Sequence, residues 1–195
     1  MLIQGKLLSY GDDLSEAYWI RKKVFLEEYG VPEEKVFDGL DEMAMQVIVY
    51  ETDSAVPGRS DSMEKGTSSG MEFRHSERKN PVATGRIQFD GSRCEIGQVA
   101  VLQEYRRLGY GDFTVRMLIN KAFTAGIYNV ECRAGEKSRG FFEKIGFSVI
   151  HEEQEGNHSF YRMEINESRV TRECRKNRLS DARIRGKDPK NHKIY

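Results

Sequence analysis

The chain is poor in the residues that staple, kink or anchor a fold. Its 195 residues hold three cysteines, four prolines and one tryptophan. Cys94, Cys132 and Cys174 are an odd, scattered set without a C-x-x-C pair. That excludes a disulfide framework and a cysteine zinc site, and points to a reducing compartment. No metal site is expected. No apolar run approaches the roughly 18 residues of a membrane helix, and the opening MLIQGKLLSYGDD lacks the layout of a secretory signal. No membrane association is expected, and the cytoplasm is the expected location. No internal repeat is visible. Net charge is absent too, with 31 Lys and Arg against 31 Asp and Glu. That balance hides a division, because residues 167–195 carry ten basic side chains against four acidic ones. The tail is therefore +6 and the body −6.

What is present is an alternation of strand and helix patterns around one core, which a chain of this length can bury. Residues 2–9 alternate weakly, as a first strand. Leu14 to Tyr29 has apolar residues at 14, 17, 18, 20, 24, 25 and 29. That spacing predicts one α-helix with Asp12 or Asp13 as its N-cap. A turn at Pro32 leads toward Leu40, and Met45–Tyr50, Pro81–Phe89 and Arg93–Val101 read as strands. Asp112–Gly126 predicts a helix, Tyr128–Cys132 a strand, and Glu136–Ile145 a second helix stopped by Gly146. Phe147–His151 and Ser159–Ile165 form a closing hairpin. Strand, helix, strand, helix, strand makes a parallel pair, so the class is α+β (α/β), a mixed, mostly antiparallel sheet flanked by helices. Thr52 to Asn80 is polar and rich in Ser, Gly and charge. Residues 53–80 are therefore expected to be a mobile loop inserted in a domain spanning 1–166, with 167–195 a basic C-terminal extension.

Glu95 to Gly111, EIGQVAVLQEYRRLGYG, is the most informative stretch. A strand-like run feeds a glycine-bearing turn, and a helical pattern follows. First-turn amides lack a carbonyl partner within their helix and sit at the positive end of its dipole, which suits a phosphate. Gly109 and Gly111 allow close backbone approach to a ligand. The spacing is neither G-x-G-x-x-G nor a P-loop, since no Gly-Lys-Ser/Thr follows. R-x-x-G-x-G after Val99-Ala100-Val101 resembles the coenzyme A signature, Q/R-x-x-G-x-G/A, of the GCN5-related N-acetyltransferases (GNAT). Downstream, FFEKIGF at Phe141–Phe147 is similar to the family's F-Y-x-K-x-G-F. Upstream, RKKVFLEEYGVP at Arg21–Pro32 and FDGLD at Phe37–Asp41 resemble the first helices of an uncharacterised bacterial acetyltransferase branch. The likeness covers residues 1–165.

The resemblance implies the GNAT fold, with two parallel strands splayed apart at the cofactor. It implies an enzyme moving an acetyl group from acetyl-CoA, by direct attack, to a primary amine of a small molecule or protein. In the family the turn's backbone amides hold the pyrophosphate, which assigns Arg106, Arg107, Leu108, Gly109, Tyr110, Gly111 and Asp112 to the cofactor, the two arginines adding charge. Val99, Ala100 and Val101 would present backbone to the pantetheine amides. Ser138 and Arg133 fall where relatives place polar residues near the cofactor. Glu95 lies eleven residues before Arg106, where one branch carries its base glutamate, and is the candidate base. The family's F-Y-x-K-x-G-F tyrosine often protonates the leaving thiolate, but that position is Phe142 here. Phe142 is expected to pack beside the pantetheine arm; solvent or another tyrosine such as Tyr161 then supplies the proton, or catalysis is weak. Alignment of two bound substrates supplies much of the rate, so the lack of a Ser-His-Asp set excludes nothing.

Glu27, Glu28, Glu33, Glu34, Asp38 and Asp41 make the first helices acidic. That suits a cationic amine, or simply a solvated helix face. His158 reads as a pocket residue or a plain turn residue, and Cys132 as a buried strand cysteine rather than a nucleophile. The basic tail is expected to dock on the acidic body or on a second copy in a homodimer. Nucleic acid is not expected, because aromatic interleaving is missing. Two alternatives stay open: a non-catalytic coenzyme-A-binding regulatory module, which Phe142 favours, and an acyl-homoserine-lactone-synthase-like enzyme, echoed by R-x-x-V-F and F-D-x-x-D.

Overall fold

The computed structural model describes residues 2–52 and 79–166. The expected inserted loop, save Lys79 and Asn80, and the basic extension lie outside the described residues. The elements run β1 (Leu2–Leu8), α1 (Ser15–Arg21), a π-helical segment (Lys22–Glu28), α2 (Glu33–Val36) and a 3-10 turn (Leu40–Met43). Strands β2 (Met45–Thr52), β3 (Lys79–Asp90) and β4 (Arg93–Val101) follow, then a second 3-10 turn (Gln103–Tyr105) and α3 (Tyr110–Thr124). The chain continues through β5 (Asn129–Gly135), α4 (Glu136–Ile145), β6 (Ser148–Glu155) and β7 (His158–Asn166). The seven strands hydrogen-bond in the order β1-β2-β3-β4-β5-β7-β6. Strands β4 and β5 pair in parallel, while β1–β2, β2–β3, β5–β7 and β6–β7 are antiparallel. This is the mixed, mostly antiparallel sheet that the sequence predicts.

The chain divides into two compact units, Met1–Ile87 with Gln98–Leu118, and Gln88–Gly97 with Ile119–Tyr195. In the first unit β2 is buried along most of its length, so its two faces each meet a helix. Ile48 and Tyr50 pack with Leu8 and Ala17, joining β2 to β1 and α1. The opposite face receives α3, and glycines make room for it. A Cβ on Gly85 would come within 2.9 Å of Leu118 and 3.0 Å of Thr114, and one on Gly5 would overlap Met117. Ile20 and Val24 pack with Ala100 and Leu102, which seats the first helical stretch on the end of β4.

In the second unit β5 alternates buried and half-exposed residues along its length, the signature of a strand covered on one face. Val130, Cys132 and Ala134 on β5, with Tyr161, Met163 and Ile165 on β7, form the covered face. Helix α4 packs on β5 and β7 through Phe142 and Ile145, and Gly146 ends it at φ 120°.

Two expectations are corrected at the first helix. The single α-helix over Leu14–Tyr29 is in fact one α stretch followed by seven π-helical residues. Intervals of four and five between apolar residues serve either geometry, so periodicity did not separate them. The N-cap is Leu14, without a side-chain cap. Asp13 instead accepts from the amide of Ser15 at 2.9 Å, and Asp12 from the amide of Ser9 at 2.7 Å. Helix α3 also starts at Tyr110, two residues before the expected Asp112.

Candidate active site

In the first unit the glycine turn is fixed from inside. Tyr110, the first residue of α3, is fully buried. Its hydroxyl donates to Glu51 at 3.1 Å, and its ring meets Tyr105 edge-on at 5.8 Å. Burial first, and then Glu51, push its pKa up to about 12. The Phe113 amide donates to the Gly109 carbonyl at 2.9 Å, so the amides of Tyr110, Gly111 and Asp112 precede the helix's own ladder. Gly109 has φ 92°, and a Cβ there would meet nothing within 4 Å. Arg107 is exposed and holds φ 65°, a left-handed conformation that costs a side-chain-bearing residue about 1 kcal/mol. An open flank, three first-turn amides and an exposed arginine fit a diphosphate such as that of coenzyme A.

Arg106 is placed differently from its neighbour. Its Nη1 and Nη2 donate to the two carboxylate oxygens of Glu28 at 2.6 and 2.5 Å. Its Nε donates to the Val101 carbonyl at 3.0 Å, and its guanidinium lies 5.5 Å from the Tyr29 ring centre. The hydrogen bond from Arg106 holds the Glu28 carboxyl below the usual carboxylate range. On β4, eight residues before Arg106, Gln98 takes φ 51° and donates to the Lys35 carbonyl at 3.2 Å.

Between the first helical stretch and the end of β4 lies a cleft of about 440 Å³. Trp19, Lys23, Val24, Glu27 and Glu28 line one side, and Leu102, Gln103 and Glu104 the other. Not all of the expected acidic surface is surface. Asp41 is buried and accepts from Arg21 Nη1 at 2.8 Å and Arg86 Nη1 at 3.0 Å. Asp38 receives both terminal nitrogens of Arg86 at 2.6 and 2.7 Å, and Arg21 Nη2 also reaches Gln46 at 2.6 Å. These aspartates neutralise two buried arginines, so they hold the segment after α2 against β2 and β3. Sequence reasoning missed this network. Its signal was Arg86, a charge in the middle of an otherwise apolar strand, which demands a buried counter-charge.

In the second unit Glu95 is half-buried and stands opposite Glu131 in the parallel pairing. That pairing spans three positions, Cys94–Val130 to Ile96–Cys132. Glu131 is 3.4 Å from Arg162, whereas Glu95 has no hydrogen bond or salt bridge among the described residues. Tyr161, also expected in catalysis, is committed elsewhere. Its hydroxyl donates to Glu136 at 2.5 Å, and Arg139 lies 4.6 Å from its ring centre. The Glu136 hydrogen bond, followed by burial, raises its pKa. Ser138 donates to the Gly135 carbonyl at 3.0 Å within the first turn of α4.

Phe142 is buried between Phe141 and Phe147, with ring centres 5.1 and 5.3 Å away, so it packs in the core of this unit. Arg133 pairs with Glu153 and Glu155 at 2.9 and 2.7 Å and stacks on Phe160. Burial raises the thiols of Cys94 and Cys132, the former to about 11, so both are inert at neutral pH. His158 is exposed at the start of β7. Among the described residues no group of three or more His, Cys, Asp or Glu suits a metal ion, and no helix is long and apolar enough to cross a membrane.

Comparison with known proteins adds a sequence profile, a relative and solved folds. Residues 41–147 match the Acetyltransferase (GNAT) family. The uncharacterised YyaT protein of Bacillus subtilis (strain 168) is 26% identical over 144 residues, covering 72% of this chain and 80% of that one. The crystal structure of Escherichia coli ElaA superposes with a TM-score of 0.62 at 16% identity, covering 85% of this chain and all of its own. A Bacillus subtilis acetyltransferase in complex with CoA superposes at 0.56 and 14% identity, covering 85% of this chain and 99% of that one. At those identities the solved structures speak to the fold alone.

Proposed function

The chain belongs to the GNAT acetyltransferase family and is an N-acetyltransferase whose acyl donor is acetyl-CoA; from that premise we propose which residues serve each substrate. The observation that carries the reading is the strand-turn-helix from Glu95 to Asp112. Its open flank at Gly109 and the unladdered amides of Tyr110, Gly111 and Asp112 suit the pyrophosphate. Arg107 adds a charge to that site, and the backbone of Val99, Ala100 and Val101 serves the pantetheine arm. Acetyl-CoA supplies an acetyl group on a thiol leaving group. The acceptor's nitrogen must be neutral to attack it.

Glu95 takes the proton from the ammonium form of that acceptor. Support comes from its half-burial and from the absence of any hydrogen bond or salt bridge to it among the described residues, Arg162 reaching it only through a longer-range charge interaction. A carboxylate already locked in a salt bridge would be a poor base. The proton for the departing thiolate comes from solvent, since Phe142 carries none and Tyr161 shares its own with Glu136. The acceptor is a primary amine, and the cleft beside Trp19 and Glu27 is its entry side. Glu104 there favours a cationic amine, Glu27 being paired with Lys23 at 2.7 Å, while Val24 and Leu102 give its carbon chain an apolar floor.

The test is a panel of small amines and lysine-bearing peptides incubated with acetyl-CoA, with free thiol release measured. Turnover of a cationic amine, lost in Glu95→Gln, supports the assignment. Absence of acetyl-CoA binding by calorimetry would defeat the donor site, and turnover confined to neutral or acidic acceptors would defeat the acceptor side.

A further inference from the structure

We propose that Arg106, although it occupies the first position of the glycine turn, is a positioning residue of the acceptor side and not a phosphate ligand. The inference rests on the acceptor reading of the first helices and asks what holds them in place. Three of the guanidinium's nitrogens are spent. Nε is tied to the Val101 carbonyl at the end of β4, and Nη1 and Nη2 take both oxygens of Glu28. The planar fork matches the carboxylate in both directions at once, the geometry that makes arginine pairs specific. Tyr29 lies over the same guanidinium. A phosphate could claim Arg106 only by leaving Glu28 without its partner, and both side chains are about 30% exposed, at 30% and 28%. Arg107, next in the chain, is exposed and has no hydrogen bond or salt bridge among the described residues. Of the two arginines it is the one free to meet an anion.

The consequence lies along the helix. Glu28 is the last residue of the π-helical segment, and a π-helix makes fewer turns per residue than an α-helix and is held by its surroundings. Trp19, Lys23, Val24 and Glu27 on the same stretch form one wall of the cleft, with Leu102 and Glu104 opposite. Arg106 therefore pins the far end of that wall to the strand end that leads into the turn. It fixes the width of the cleft that the amine enters, while the amides beyond it hold the donor.

Trp19 is the chain's one tryptophan, so this wall carries its own reporter. The test compares wild type, Arg106→Gln, Glu28→Gln and the double variant. Acrylamide quenching of Trp19, acetyl-CoA affinity by calorimetry, and the two KM values in the thiol-release assay with the best amine of the panel are read for each. The pinning role expects both single variants to raise Trp19 quenching alike, with the double variant adding nothing further, as for two ends of one contact. It expects acetyl-CoA affinity to stay within about twofold of wild type, because the contact is on the acceptor side. It expects the amine KM to rise in both while the acetyl-CoA KM holds.

Three results would overturn it. One is a loss of acetyl-CoA affinity of about tenfold or more in Arg106→Gln alone, the worth of a charge-assisted bond to phosphate. Another is Trp19 quenching unchanged in both single variants. The third is additive effects of the two. If wild type binds no acetyl-CoA, the donor reading fails instead, and the Trp19 comparison still decides the role of Arg106.

Discussion

The hydroxyl of Tyr161 on β7 donates to the carboxylate of Glu136, the first residue of α4. The bond joins a strand to the start of the helix that follows β5, and it occupies the one proton Tyr161 has to give. With that proton shared and the pKa raised by Glu136, the bond acts as a strut between β7 and α4. Tyr161→Phe is expected to keep kcat within about threefold of wild type and to lower Tm modestly. Steady-state kinetics with thermal denaturation check this, and a drop in kcat of tenfold or more at unchanged Tm would restore Tyr161 to the chemistry.

Removing the Glu95 carboxylate should slow the reaction without touching the donor. Glu95→Gln is expected to lower kcat about a hundredfold, the usual worth of a positioned base, with acetyl-CoA affinity unchanged. Thiol release and calorimetry on the same preparation separate the two. Wild-type kcat in the variant would leave the amine to lose its proton in solution.

Arg107 sets stability against binding. Glycine adopts φ 65° without the Cβ penalty, so Arg107→Gly is expected to raise stability by about 1 kcal/mol. The same change removes a charge from the pyrophosphate site and is expected to weaken acetyl-CoA binding about tenfold. Denaturant unfolding and calorimetry are the measurements. A more stable variant with undiminished affinity would remove Arg107 from the donor site.

Acid should loosen the buried ion network at a defined place. The Arg86 hydrogen bonds hold the Asp38 carboxyl below its ordinary value of 3.8. The stability this contributes is full above that value and is lost as pH falls through the lower, folded value. Asp38→Asn is therefore expected to be less stable than wild type at neutral pH and to lose less of its Tm between pH 4 and pH 2. A Tm–pH series on both proteins reads this out, and parallel curves would contradict it.

Gly85 lets α3 lie close on β3. Gly85→Ala places a methyl group within 2.9 Å of Leu118 and 3.0 Å of Thr114, and is expected to cost about 1–3 kcal/mol. Gly97, where an added Cβ would meet nothing within 4 Å, is the control position. Urea unfolding of the two alanine variants should separate them clearly.

Local rules found most of the elements. Gly109 and Gly146, for example, mark a turn and a helix end with positive φ values, a conformation glycine adopts readily, which is why their places in the sequence signalled both. The seven strands follow from β-branched runs, and the parallel pair from the helix between β4 and β5. What could not be read were partners far apart in the chain. Arg106 and Glu28 lie 78 residues apart, and a surface-looking Asp41 proved to be the counter-ion of Arg21 and Arg86. Phe142 was expected beside the pantetheine arm, and its ring contacts with Phe141 and Phe147 are an addition of the structure. The bond from Tyr161 to Glu136 was not legible, because a sequence shows where a hydroxyl is and not what it is bonded to.

A π-helix uses about one residue more per turn than an α-helix, so Lys22–Glu28 behaves as though one residue were in excess. A single deletion inside that segment could be absorbed by a return to the tighter helix, with its start at α1 and its apolar seating on β4 left in place. Seven residues at the π-helical rotation of about 80° each and six at the α-helical rotation of about 100° each differ by only about a tenth of a circle. Glu28 would then still face the strand end. The wide turn thus gives this stretch a tolerance to length change that is separate from its tolerance to substitution. A shortened chain that folds normally and keeps the Arg106–Glu28 contact is the outcome this geometry leads one to expect.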